Sequence, residues 1–167
     1  TTSLNIQYGT VEMNAGSRLY VGNQLLIASG AGLNANDSDV EIYCNGNWYD
    51  SNLSPTTTVG FDAGVYSIVH FRNPSSIQTV QENCPFHNVM IEGAGTYTRP
   101  NFYDWICDNL TIVSGTLRHY GYKISVNENM IIGPGTLRMD YSANDSLVVT
   151  GDVIWQAGSN DLVTTGT

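Results

Sequence analysis

Apolar and polar residues alternate in short runs along the chain, and Gly or Asn residues separate successive runs. No stretch keeps the i, i+3, i+4, i+7 apolar spacing of an amphipathic helix beyond two turns, whereas alternation with a period of two is typical of β-strands. The pattern therefore predicts an all-β chain of very short strands. Examples of these runs are Leu4–Ile6, Leu19–Val21, Val40–Ile42, Val69–Phe71, Val89–Ile91, Leu110–Ile112, Ile124–Val126 and Leu147–Val149.

The chain also resembles itself at a long offset of about 105 residues. Residues 4–21 match residues 110–126 with one gap, and the similarity continues through Leu33 with Leu137 to Trp48 with Trp155. The sequence thus predicts one β-rich segment over residues 1–167. It holds about one and a half copies of a unit, at 4–109 and 110–167. We expect the chain to be cut from, or to stack into, something longer.

Within each unit, apolar runs recur every six to eight residues. Three such strands with their turns would make a coil of roughly 20–25 residues, and coils would stack about 4.8 Å apart. This regular spacing predicts a β-solenoid, also called a parallel β-helix. A β-sandwich, whose strands recur every 8–12 residues, is the alternative. The shortness of the strands favours the solenoid.

The charge and the hydrophobicity of the chain exclude some classes of binding partner. Only 13% of the residues are charged, the net charge is −9 and the pI is near 4.4. Such a chain has no basic patch to neutralise phosphates, which argues against nucleic-acid binding. No run of about 18 apolar residues is present, so we expect no membrane span. A β-rich chain dominated by neutral polar residues is expected to be extracellular.

Three alternating acidic residues form the candidate metal site. Asp37, Asp39 and Glu41 would project from one face of a strand, and Ca²⁺ binds six to eight oxygen ligands. The alternative is a solvated outer face of an acidic protein. Apart from this candidate calcium ion, we expect no cofactor.

An aromatic segment forms the candidate ligand site. Tyr97, Arg99, Phe102, Tyr103 and Trp105 interrupt the strand rhythm around Pro100, which predicts a loop or bend. Exposed rings would stack on sugars, and the arginine would bind hydroxyl groups. The alternative is a loop that folds over the side of the solenoid.

The three cysteines do not form a CxxC pair, so a structural zinc site is not expected. Cys84 and Cys107 are 23 residues apart, close to one coil. Stacked positions about 5 Å apart lie within the range that a disulfide can bridge. This spacing predicts a Cys84–Cys107 disulfide with Cys44 left over, and three buried thiols are the alternative.

Signals of catalysis are weak. His70, His87 and His119 are scattered, and neither an HExxH motif nor a GxSxG elbow is present. With one lysine and five arginines, the basic group of a β-helical polysaccharide lyase is hard to assemble. We therefore expect no enzymatic activity.

Several motifs follow one another along the chain: GNW at 46–48, FxxG at 61–64, VxF at 69–71, QTV at 78–80, FHNVMI at 86–91, NLTIVSGTL at 109–117, GYKISV at 121–126 and GTL at 135–137. Their order resembles the β-helical repeats of large secreted surface proteins from Bacteroidetes-type bacteria, which are cargo of type IX secretion. These motifs are turn-and-strand patterns rather than chemistry. The chain departs from those repeats in its three cysteines and its aromatic segment, and no sorting domain is visible.

The resemblance implies a stalk, adhesin or filament role at the cell surface. We therefore expect a structural extracellular protein, a rigid solenoid spacer or fibre segment. Exposed strand edges at the solenoid ends recruit further strands, so self-association or neighbouring repeats are the expected partners. A glycan-binding adhesin module is the alternative function, followed by a carbohydrate-active β-helix enzyme.

Overall fold

A computed structural model describes residues 2–52, 59–74, 77–81, 86–98, 104–119, 123–139, 145–156 and 162–164. Within these ranges the chain forms short strands and turns, with no helix and hence no helical membrane span. The strands are β1 (Leu4–Ile6), β2 (Thr10–Glu12), β3 (Arg18–Val21), β4 (Gln24–Ile27), β5 (Gly32–Ala35), β6 (Glu41–Cys44), β7 (Asn47–Asp50), β8 (Gly60–Ala63), β9 (Ile68–Phe71), β10 (Ile77–Gln81), β11 (Phe86–Ile91), β12 (Thr96–Thr98), β13 (Trp105–Ile112), β14 (Thr116–Arg118), β15 (Lys123–Val126), β16 (Met130–Ile132), β17 (Thr136–Met139), β18 (Ser146–Val149), β19 (Val153–Trp155) and β20 (Leu162–Thr164).

The strand pairs of the described chain are all parallel. Successive strands lie on different sides, and the chain returns to the same side about one coil later, as Leu4 pairing with Leu25 and Arg18 pairing with Glu41 show. A sandwich would pair its strands antiparallel. The predicted β-solenoid is therefore confirmed, and the sandwich alternative is excluded.

Three sheets form the sides of the solenoid. The first side is an eight-stranded sheet in the order β1-β4-β7-β10-β12-β14-β17-β20. The second side begins as the three-stranded sheet β2-β5-β8, and the third side is the nine-stranded sheet that starts at β3. From β11 onward the nine-stranded sheet forms both the second and the third side, with β15 and β18 on the second side. The long strand β13 pairs with β15 through Trp105–Cys107 and with β16 through Leu110–Ile112.

Strand alternation builds the core. In β6, for example, Ile42 and Cys44 are buried while Glu41 and Tyr43 point outward. In-register pairing stacks the inward residues of successive coils into columns, and burial of each large aliphatic side chain contributes about 1.5–3 kcal/mol. One such column on the third side contains Leu19, Ile42, Val69, Val89, Leu110, Met130 and Val153.

The internal sequence repeat is displaced by one side in the fold. Leu4 lies in the eight-stranded sheet, whereas its match Leu110 lies in the nine-stranded sheet. Leu33 lies in the three-stranded sheet, and its match Leu137 lies in the eight-stranded one. Leu4, Leu33 and their matches all lie in strands, so here the repeat conserves strand positions but spans a non-integral number of coils.

Candidate functional site

The two described members of the aromatic segment are core residues. Tyr97 lies in β12 and Trp105 in β13, and both are buried. The Tyr97 hydroxyl donates to the Asn73 carbonyl oxygen at 3.2 Å, and burial raises the pKa of this phenol to about 12. Trp105 packs against Phe86. These two rings face inward and offer no platform for a sugar. Arg99, Phe102 and Tyr103 lie outside the described residues.

The acidic triplet does not form the row of ligands expected for calcium. The strand begins only at Glu41, while residues 37–39 form a turn in which Asp39 has a positive φ of 58°. The Asp37 carboxylate accepts bonds from the backbone N–H groups of Ala15 and Ser38. Asp37 therefore stabilises the turn instead of lining a strand face. The described residues contain no group of three or more His, Cys, Asp or Glu side chains that could hold a metal ion.

Glu41 belongs to a network on the outer surface of the third side. Its carboxylate accepts bonds from the Tyr43 hydroxyl at 2.5 Å and from Arg18 Nε at 2.9 Å. The hydrogen bond from Tyr43, followed by the contact with Arg18, holds the pKa of Glu41 below its usual range despite some opposing desolvation. The Arg18–Glu41 pair connects two successive coils.

An aromatic column, which the sequence pattern did not predict, runs through this network. Tyr20, Tyr43 and His70 occupy the same outward position in three coils, and their rings stack at centroid distances of 4.8 and 4.3 Å. Arg72 lies over the Tyr43 ring and pairs with Glu92, which also bonds His70. The signal was available in the sequence, because Tyr20 and Tyr43 are separated by the same 23 residues as Arg18 and Glu41.

An asparagine ladder links the later coils. Asn109 Nδ2 donates to Asn88 Oδ1 at 3.0 Å, and Asn109 Oδ1 accepts from the Asn129 backbone N–H at 3.1 Å. The side chain of Asn129 in turn accepts from the Asp152 N–H. Ladders of this kind are a recurring stabilising device of stacked parallel strands. Each rung belongs to a different coil, so the ladder fixes the register along the solenoid axis.

The contact between His87 and Asp108 has the same inter-coil character. His87 Nδ1 bonds an Asp108 oxygen, and the other oxygen of Asp108 accepts from Asn127. Such a pair would orient a general base if a nucleophile stood beside it. Ser67, in the adjoining coil, is buried, and its hydroxyl donates to the Gly64 carbonyl oxygen at 2.7 Å. The His87–Asp108 contact therefore serves to link neighbouring coils.

A buried carboxylate lies at the end of β7. Asp50 is fully buried and accepts bonds from the backbone N–H groups of Asn52 and Phe61 and from the Asn52 side-chain amide. The Asn52 amide also donates to the carbonyl oxygens of Ala28 and Ala31 in the preceding coil. Asp50 is thus a structural group that anchors one coil to the next.

The described cysteines are free thiols. In-register pairing places Phe86, not Cys84, beside Cys107, and both Cys44 and Cys107 are buried and free. The predicted bridge is therefore not formed at Cys107; Cys84 lies outside the described residues. Burial raises the pKa of both described thiols to about 12.

These two thiols should resist alkylation in the native protein. The thiolate is the reactive form, and a pKa near 12 leaves almost none of it at pH 8. Iodoacetamide followed by peptide mass spectrometry should leave Cys44 and Cys107 unmodified in buffer and modify both in guanidinium without reductant. A Cys107 that reacts only after reduction would establish a disulfide and contradict the structure.

The last full coil of the described chain exposes apolar residues. Val153 and Trp155 occupy inward columns, yet they are 50% and 47% exposed, whereas Met130 and Ile132 of the preceding coil are buried. Outward-facing Val148 and Ile154 are exposed beside them. The end of this coil is thus an apolar strand surface, referred to below as the terminal coil surface.

Together these features define the class of the chain, a parallel β-solenoid whose coils are tied by aromatic, asparagine and acid–base contacts. Comparison with known protein families, with curated proteins and with solved structures finds no match for it.

Proposed function

We propose that this chain is a structural segment of an extracellular surface or filament protein, acting as a rigid solenoid spacer or fibre. The observation that carries the proposal is the coil-to-coil continuity of the molecule. Inward columns run through successive coils, and outward ladders connect the same coils on the outside. Each coil contacts mainly its neighbours, so length grows with coil number while the cross-section is kept.

The surface contacts support a mechanical role. The ladder of Asn88, Asn109 and Asn129 and the pair of Arg18 and Glu41 each connect different coils. Side chains that link coils resist sliding and splaying of the stack, which is what a spacer requires.

The terminal coil surface supports stacking from end to end. Val153 and Trp155 are half-exposed members of columns that are otherwise covered by the next coil, and an open parallel edge is a template for another strand. We propose that a further β-coil covers it, from a second copy or a neighbouring repeat. The extracellular setting rests on the low charge of 13% and on the resemblance to secreted surface repeats.

The proposal is tested by association in solution. Light scattering over a concentration series should show a mass that rises with concentration for the unchanged chain. Trp155→Arg should abolish this rise, because it places a charge on the terminal coil surface. Val65→Arg is the matched control, since Val65 is also exposed but lies in the turn before β9. A monodisperse monomer at the highest attainable concentration would overturn stacking between copies.

A further inference from the structure

A polar groove crosses the second side of the solenoid. It encloses about 260 Å³ on the outer surface of β2, β5 and β8. Thr10, Gly32 and Gly60 are in register in these three strands, and of the two glycines Gly60 lines the groove. A Cβ on Gly32 would lie 3.2 Å from the Thr10 Oγ1 atom. The Thr10 side chain thus covers Gly32, and the missing side chain at Gly60 helps to form the depression.

The wall of the groove is a column of acidic and amide side chains. Glu12, Asn34 and Asp62 are also in register, two positions along the same strands. Asn34 Nδ2 donates to Glu12 Oε2 at 2.6 Å, and Asn36 Nδ2 donates to Asp62 Oδ2 at 3.2 Å. The Asn36 backbone N–H donates to Asn34 Oδ1 at 3.0 Å. These bonds hold the wall in one arrangement before any ligand arrives.

The wall retains hydrogen-bonding capacity after these internal bonds. Each of these hydrogen bonds uses one oxygen of its carboxylate, which leaves Glu12 Oε1 and Asp62 Oδ1 as acceptors. The exposed Thr10 hydroxyl adds a group that both donates and accepts. Neighbouring members of a column repeat at about 4.8 Å, the strand spacing. The groove therefore presents a row of acceptors beside the bare backbone of Gly60.

Three ligand classes fit this chemistry poorly. Two carboxylates without a compensating cation in the lining repel phosphate and other anions. A calcium ion needs six to eight oxygens, and the described residues supply no group of three or more acidic or histidine side chains for a metal. An apolar ligand would leave the remaining carboxylate oxygens, Glu12 Oε1 and Asp62 Oδ1, without partners. A ligand rich in hydroxyl donors satisfies the lining.

An exposed aromatic ring lies next to the groove in the sequence. Tyr8 is 91% exposed and precedes Thr10 by two residues, in the turn that leads into β2. A tyrosine ring offers a flat apolar face together with a hydroxyl group, which suits the C–H face of a pyranose. We infer that the polar groove, with Tyr8 two residues before its Thr10, is a binding site for a saccharide. This site is separate from the terminal coil surface, so it does not depend on the proposed spacer function.

The test uses the intact chain on an array of neutral and acidic oligosaccharides, followed by calorimetric titration of the best binder. Glu12→Gln and Tyr8→Ala should each weaken the affinity by about tenfold or more, since a charge-assisted hydrogen bond or a stacking face is lost. The control variants are Glu128→Gln and Tyr20→Ala, which alter exposed residues away from the groove, and we expect their affinity to stay within about twofold. Circular dichroism verifies the fold of each variant.

Three results would overturn the inference. One is the absence of any saccharide binding by the unchanged, folded chain at millimolar concentration. Another is binding that Glu12→Gln and Tyr8→Ala leave unaltered. The third is Ca²⁺ binding, measured with the metal alone, that Glu12→Gln removes while no saccharide binds. Trp155→Arg should keep saccharide affinity, which separates this result from a failure of stacking.

Discussion

Replacement of Trp48 by alanine should lower the free energy of unfolding by about 3–5 kcal/mol, the usual cost of deleting a fully buried aromatic side chain. Trp48 is completely buried in β7. Its ring meets Phe61, Phe71 and Phe86 edge-on at centroid distances of 5.0, 5.9 and 5.7 Å. These partners come from three different strands, so the substitution opens a cavity that no single neighbour can fill.

Trp155→Ala is the matched control, because Trp155 corresponds to Trp48 in the internal repeat but is half-exposed. Its loss should cost about half as much, since about half of the side chain is already exposed. Urea denaturation followed by far-ultraviolet circular dichroism measures both variants without relying on tryptophan fluorescence. Equal losses for the two variants would contradict the placement of Trp48 at the centre of the core.

Gly46→Ala should destabilise the protein by about 3 kcal/mol or more, because the coils cannot separate locally to admit the added carbon. Gly46 lies in the turn between β6 and β7. A Cβ built there would lie 1.5 Å from the carbonyl oxygen of Asn23 in the preceding coil. The same oxygen accepts the Asn47 N–H at 3.0 Å, so any shift that relieves the clash also breaks a bond between coils.

Gly16→Ala separates this clash from the general cost of losing a glycine. Gly16 has a φ of +70° but no atom within 4 Å of an added Cβ. Its substitution should cost only about 1–2 kcal/mol, the strain of a left-handed alanine. Denaturant midpoints of the two variants and hydrogen exchange of the amides in β4 and β7 give the comparison. A Gly46→Ala chain as stable as Gly16→Ala would show that the turns are not in close contact.

Strand positions could be predicted from the sequence because alternation is local. Leu110–Ile112 and Ile124–Val126 are strands as expected, and Val40 is buried just before β6 begins. The register of the ladders was equally accessible, since the spacing of Asn88, Asn109 and Asn129 is one coil. Side chains that share an outward position in successive coils can thus be read from spacing alone.

The orientation of residues beside irregular segments could not be predicted in this way. Trp105 follows a break in the alternation, so its phase relative to earlier strands was lost, and it points inward. Within β13 the alternation slips again, because Asp108 and Asn109 are both only partly buried. For the acidic triplet the alternation itself was misleading, because residues 37–39 form a turn and not a strand. The positive φ at Asp39 is incompatible with the extended backbone of a strand.

The polar groove on the second side could not be predicted from the sequence either. Gly32 and Gly60 are 28 residues apart, more than the 22 that separate Thr10 from Gly32, because a longer connection follows β7. A fixed period therefore misaligns them. Only three-dimensional register shows that two glycines and the acids beside them share one surface.

The displacement of the internal repeat by one side has a consequence for any longer array. If further units of this length follow in register, each begins one side away from the unit before it. A surface feature carried once per unit would then wind around the fibre like the steps of a spiral staircase. Binding positions would face several directions in turn, so a fibre lying against a flat substrate would still present some of them to it.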